Sequence, residues 1–169
     1  MDYQRIINEL SRNQQVFREL LENIPQELIL WKPARDKWCL LEIVCHLLDE
    51  EREDFRARLK HVLETPEKPM IPYDPLKLVT ERDYIGQNYE VSLKTFLNAR
   101  MESIEWLQSL ISPSWNNTYR HPKLGPMTAK LFLSNWLAHD YIHIRQILKV
   151  KFAFLEEDSE ESLSYAGNW

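Results

Sequence analysis

The sequence predicts an all-α chain folded as a four-helix bundle, and three observations predict it. Apolar residues recur over long stretches at the i, i+3, i+4 spacing of a helix with one buried face. Glycine is scarce, at 3 of 169 residues, while Leu, Glu, Arg and Lys are frequent, a balance that favours helices over turn-rich sheets. Prolines punctuate the periodic stretches at Pro25, Pro66, Pro69 and Pro126, where a helix cannot continue undisturbed. The length suits one domain whose core is large enough to need no staple.

Helix one is expected from about Tyr3 to Asn23, because Ile6, Ile7, Leu10, Phe17, Leu20 and Leu21 share a face and Pro25 follows. A loop with Trp31, Pro33 and Trp38 leads to helix two, expected over Leu40 to Glu64 with Val44, Leu48, Phe55, Leu59 and Val62 as its core stripe. The charged remainder of that helix reads as solvated. After the proline-rich stretch Thr65 to Thr80 comes helix three, about Glu81 to Ile111, and behind Gly125-Pro126 helix four, about Thr128 to Val150. The bundle is therefore expected to occupy residues 1–152. Residues 153–169, with the run Glu156-Glu157-Asp158-Ser159-Glu160-Glu161, form an acidic C-terminal tail whose composition suits disorder.

A formal net charge of -5 leaves no broad positive field for a phosphate backbone, so nucleic acid is not an expected partner. No apolar run approaches the roughly 20 residues that cross a bilayer, and the opening Met1-Asp2-Tyr3-Gln4-Arg5 lacks a signal peptide's apolar stretch. No membrane association and a cytoplasmic location are the expectations. Cys39 and Cys45 are the only cysteines; their spacing matches neither a redox pair nor a thiolate zinc cluster.

The chemistry-bearing residues are histidines. His139 and His143 lie four apart on helix four, which puts their Cβ atoms about 5 to 6 Å apart on one face, a geometry that chelates one ion. The zincin motif is absent, because that needs Glu directly after the first histidine and the chain has Asp140. His46 lies away from the core stripe of helix two, so it is either solvated or used. It stands about 9 Å from the start of helix two, and His143 about 10 Å from the end of helix four. Antiparallel helices bring these two level; parallel ones offset them by roughly 7 to 13 Å, too far for a shared ion. An extended Thr65–Thr80 could span up to about 50 Å, enough to return along the bundle. An up-down-down-up order with a long crossover between helices two and three is thus what a shared ion requires. Without that ion, the three are exposed or hydrogen-bonded structural histidines.

At this point the sequence resembles the DinB-like (YfiT-related) metalloenzyme family. The resemblance rests on Trp38-Cys39-Leu40-Leu41-Glu42-Ile43-Val44-Cys45-His46-Leu47 with Asp49, on Pro72-Tyr73-Asp74, on Tyr119-Arg120-His121-Pro122 and Thr128, and on His139-Asp140 with His143 and Gln146-Ile147. It implies an up-down-down-up four-helix bundle whose His46, His139 and His143 bind nickel, zinc or iron. It also implies either metal-dependent hydrolysis or transfer to a low-molecular-weight thiol.

Three neutral imidazoles leave at least one coordination position open, as in catalytic zinc sites. A bound ion there can activate water or a thiolate. Glu50, four residues after His46, is the candidate general base, unless it belongs with Glu51 and Glu53 to a solvated charge run. Asp140 could instead orient an imidazole. Cys39 is about 10 Å from His46 along the axis and reads as a small packed residue. His61, about 22 Å beyond His46, cannot share its ion and reads as a surface residue, while His121 is expected to be structural at the opposite end. Trp31, Trp38, Tyr73 and either Tyr165 or Trp169 are candidate pocket walls. Two functions follow: an enzyme acting on a small molecule, or a non-catalytic bundle pairing with a second copy as a homodimer or with another partner, with a structural or incidental ion.

Overall fold

The computed structural model describes residues 2–167. Helix α1, Tyr3–Leu21, is capped by the Asp2 carboxylate, which accepts from the Arg5 N–H, and a short α2 follows at Gln26–Leu30. The expected second helix is continuous in path but composite: α3, Leu40–Asp49, passes through a π-helical turn, Glu50–Phe55, into α4, Arg56–Glu64. Helix α6 covers Tyr89–Ser109 and α7 covers Ala129–Ser159.

Three expectations are corrected. The chain is mostly but not wholly helical: β1, Thr118–His121, pairs antiparallel with β2, Gly125–Thr128, with Thr118 opposite Thr128. The turn closes because Gly125 adopts φ +77°, a left-handed conformation open to glycine, and because His121 Nδ1 accepts from the Lys123 and Leu124 N–H groups, both at 3.1 Å. Helix three begins at Tyr89 rather than Glu81. The connection before it holds its own helix α5, Pro75–Glu81, started by the Asp74 cap and Pro75 in the first turn, and a 3-10 turn, Tyr84–Gly86. Helix α7 runs past Val150 to Ser159, because Phe154 packs edge-on against Trp31 and the Trp31 indole donates to Glu157.

The long helices touch in an ordered way. Along α1 and α6 the partners are Leu10 with Arg100, Gln14 with Leu97, Phe17 with Phe96 and Leu21 with Tyr89. Along α1 and α7 they are Asn13 with Asp140 and Leu20 with Lys151. Cys45 meets Ser92, Glu51 meets Arg100 and Arg56 meets Glu102 on α6, while His46 meets His143 and Phe55 meets Trp136 on α7.

The core falls into two apolar halves. One gathers Phe17, Leu21, Leu40, Leu47, Phe96 and Ile147; the other gathers Leu10, Phe55, Leu59, Leu107, Leu133 and Trp136. On every long helix the two halves are separated by buried polar residues: Asn13 on α1, Glu50 and Glu51 after α3, Arg100 on α6, Asp140 and His143 on α7. This polar waist positions the candidate site.

Candidate metal centre

His46 enters the waist from α3, whose start is fixed by a reciprocal cap. The Glu42 carboxylate accepts the Cys39 N–H at 2.9 Å and is itself paired with Lys32 at 2.7 Å. The first two turns of α3 are buried on all sides, between α2, α5, α6, α7 and the Tyr84–Gly86 turn, so His46 is buried although it lies off the expected stripe. His139 and His143 approach from one face of α7. The Nε2 atoms of His46 and His139 stand 3.3 Å apart and those of His143 and His139 3.0 Å apart. One nitrogen from each of the three rings lies within 4.8 Å of the others. Trp38 covers His46 and Phe55 covers His139, each with ring centroids 4.9 Å apart.

Burial holds these rings neutral. Desolvation, reinforced by the His143 ring, lowers His46 to about 3, and desolvation with both neighbouring rings lowers His139 to about 2. His143 is also lowered by burial, against opposing help from Gln146 and Asp140. The donor set fits a divalent cation. A neutral imidazole nitrogen offers either one N–H or one lone pair, so His139 Nε2 can make only one of its two contacts a good hydrogen bond. The other contact is left without a well-formed hydrogen bond whichever tautomers are present, a shortfall that a cation taking one lone pair from each ring removes. The Nδ1 atoms of His46 and His143 are buried and close no hydrogen bond in full geometry, so both rings are free to turn Nε2 to an ion.

Glu50 is buried and lies on the far side of His46 from this cluster, its Oε1 3.9 Å from His46 Nδ1. Burial first, then Asp54, pushes its carboxyl up to about 8, with Tyr73 and Arg58 opposing. Glu51 is also buried, not solvated. Glu50 follows His46 by one regular turn, its N–H donating to the His46 carbonyl, so it shares the buried side of the helix with His46, while Glu51 turns to Arg100 and the Trp136 indole.

Asp140 does not orient an imidazole. Its oxygens accept from Arg100 at 2.7 and 2.8 Å and from Asn13 at 3.0 Å. Arg100 is itself 1 % exposed, donates to Glu51 at 2.8 Å and lies among the rings of Phe17, Phe96 and Trp136. Glu51 also accepts from the Trp136 indole at 3.1 Å. This network ties α1, α6, α7 and the π turn together one residue from His139. Sequence reasoning missed Arg100, Asn13 and Glu51. Arg100 in the middle of an apolar face, between Leu97 and Ile104, was the available signal.

The remaining candidates sort by position. Cys39 and Cys45 are buried free thiols, with burial pushing Cys45 up to about 11, so Cys39 packs as expected. His61 Nε2 contacts the Lys68 carbonyl oxygen at 3.0 Å. Trp38 packs on His46, whereas Trp31 packs on Phe154 and donates to Glu157 further along α7, Tyr165 is fully exposed, and Trp169 lies outside the described residues. Tyr73 lines a cavity of about 280 Å³ with Arg52, Arg58, His61, Met70 and Pro72; the three histidines do not line it.

The sequence profile of the DinB superfamily matches residues 9–147, and the chain belongs to that superfamily. Among solved structures, the fold is similar to one described as YfiT from Bacillus subtilis, a probable metal-dependent hydrolase with an unusual four-helix bundle topology. The superposition has a TM-score of 0.77 at 17% sequence identity and covers 95% of this chain and 89% of that one. At that identity the likeness carries the fold. No curated protein matches the sequence.

Proposed function

We propose that the chain is a metal-dependent enzyme that holds one nickel, zinc or iron ion on His46, His139 and His143 and acts on a small molecule. The observation that carries this reading is the convergence of three buried, neutral imidazoles whose Nε2 atoms face one another at 3.0 and 3.3 Å. An ion bound there would supply Lewis-acid activation of a water or of a low-molecular-weight thiol, the chemistry of hydrolysis or of thiol transfer. The YfiT description and the family membership favour hydrolysis first. Trp38 and Phe55 exclude water from two sides of the cluster, and Glu50 is the nearest carboxyl able to hold or release a proton near neutrality.

The up-down-down-up order of the long helices belongs to the same reading. Its support is the contact order: residue numbers rise together along α1 and α7 and along Cys45–Arg56 and α6, and run oppositely along α1 and α6 and along His46–Phe55 and α7. The free thiols suit a cytoplasmic setting, and no helix among the described residues is long and apolar enough to cross a membrane. The test is elemental analysis of protein purified without a nickel column. Near-stoichiometric nickel, zinc or iron in the wild type and almost none in His143→Ala is expected; equal content in both refutes the reading. Hydrolytic and thiol-transfer probes on the loaded protein then separate the two chemistries.

A second reading, pairing of two copies without catalysis, is favoured by the exposed apolar side chains Tyr141, Ile142, Leu148 and Leu155 along α7. Light scattering of the wild type against Leu148→Glu decides it: a dimer that becomes a monomer supports the reading, and a monomer throughout refutes it.

A further inference from the structure

The metal-binding reading leaves three groups beside His46 unexplained. His46 turns Nε2 to the cluster, and its Nδ1 is buried and closes no hydrogen bond. Glu50 Oε1 stands 3.9 Å from that Nδ1, with the two side chains 7% and 8% exposed. The distance is beyond a hydrogen bond, yet the terminal torsion of a glutamate is soft, so the carboxyl can reorient towards the ring at little cost. Behind Glu50 lies Tyr73. Its buried hydroxyl lies near enough to the Glu50 carboxyl to favour the ionised form as a donor does, yet it meets no partner in full hydrogen-bond geometry.

Tyr73 reaches this position on the strap that leaves α4. The strap is fastened along its length: the Lys68 carbonyl contacts His61 at 3.0 Å, the Met70 N–H donates to the Tyr119 hydroxyl at 3.3 Å, and Met70 Sδ accepts from Arg58 at 3.3 Å. Beyond Tyr73, Asp74 caps α5 by accepting the Lys77 N–H at 3.3 Å. A hydroxyl, a carboxyl group and an imidazole nitrogen thus stand in a row, and the two outer groups, the Tyr73 hydroxyl and His46 Nδ1, are buried without a well-formed hydrogen bond.

Resting on the three-histidine reading, we propose that Glu50 and Tyr73 are positioning residues for His46. A Glu50 carboxyl oxygen accepts a hydrogen bond from the His46 Nδ1–H, which fixes the tautomer that leaves the Nε2 lone pair free for the ion, and Tyr73 donates to Glu50 and holds its carboxyl group in place. A ligand imidazole gains orientation and basicity from such a partner, and losing the partner weakens metal binding by about 10- to 100-fold. The strap is thereby part of the metal centre without touching the ion.

The test uses Zn2+ alone as probe, with affinity read by competition against a chromophoric chelator, and ring-nitrogen NMR of His46 in the metal-free protein. Glu50→Met is expected to lower Zn2+ affinity by about 10- to 100-fold and to abolish the preference for the Nδ1–H tautomer, and Glu50→Gln, which keeps an acceptor, to restore part of both. Tyr73→Phe, which removes only the hydroxyl of a half-buried side chain and keeps its ring, is expected to lower affinity less, and the double variant with Glu50→Met to bind no more weakly than Glu50→Met alone. Additive losses in the double variant overturn the role of Tyr73. Tight Zn2+ binding by the wild type and equally tight binding by Glu50→Met, with or without loss of turnover, overturns this inference alone. A wild type that binds no Zn2+ overturns it together with the metal-binding reading.

Discussion

Replacing Arg100 with Met removes the one cation of the polar waist and leaves Glu51 and Asp140 buried without it. Arg100 is 1 % exposed and makes four hydrogen bonds, to Glu51, to both oxygens of Asp140 and to the Leu10 carbonyl. Removing one partner of a buried ion pair destabilises by about 3–5 kcal/mol, because the charge left behind is desolvated and unpaired. For a chain of this size each kcal/mol moves the melting midpoint by about 2–4 °C, so Arg100→Met should melt about 6–20 °C lower. Arg100→Lys keeps the charge but not the two-pronged geometry that meets Asp140, and should fall between. The loss should also depend on pH. Burial already raises Glu51 even with Arg100 beside it. In Arg100→Met that carboxyl stays protonated in the folded protein to higher pH, while the unfolded chain releases the proton near pH 4.3. Stability of the variant therefore falls further as pH rises above that value. Urea unfolding of wild type, Arg100→Met and Arg100→Lys at pH 5 and pH 8 measures this. A loss under about 1 kcal/mol at both pH values, in the range of a solvated surface pair, refutes the desolvated network.

Two further outcomes follow from the same waist. His46 and His139 are held near 3 and 2 when folded but take a proton near pH 6.5 when unfolded. Metal-free protein should thus lose on the order of 1 kcal/mol per histidine for each pH unit below 6.5. Glu50, raised to about 8, opposes this, because folding retains a proton that the unfolded chain releases above about 4.3. The acid-side loss should accordingly be steeper in Glu50→Gln and shallower in His139→Gln, and parallel profiles in calorimetry would contradict the assignment. Tyr84, 2% exposed, donates to Asp49 at 2.5 Å, and Tyr84→Phe should cost about 1.5–3 kcal/mol in urea unfolding, near the lower end since Arg82 still pairs Asp49; a neutral result would mean the connection before α6 is not anchored there.

The histidine cluster was readable because its geometry is local on each helix. His139 and His143 share a face of α7 whatever packs beside it, and the axial positions of His46 and His143 needed only helix rise. The four long helices were readable for the same reason, as was the start of the last one at Thr128, whereas the short helices α2 and α5 lay in stretches expected to be loop. Glu50 and Glu51 were harder, since an acidic run reads as solvated and the partners that make the burial of Glu51 tolerable, Arg100 and Trp136, arrive from α6 and α7. The hairpin was hidden by its shortness: four-residue strands carry too few positions for an alternation to stand out from a loop.

By itself, the sequence determined the helical period, the breaks between helices and which residue types could bind a metal, because each depends on neighbours within about one turn. Tertiary structure alone decided which charged residues are buried and what they face. Arg100 meets Glu51 across 49 residues of chain, and Asn13 meets Asp140 across 127. Desolvating such groups is tolerated only where a partner of opposite character arrives from another helix, and that arrival is a property of the assembled bundle rather than of any segment within it.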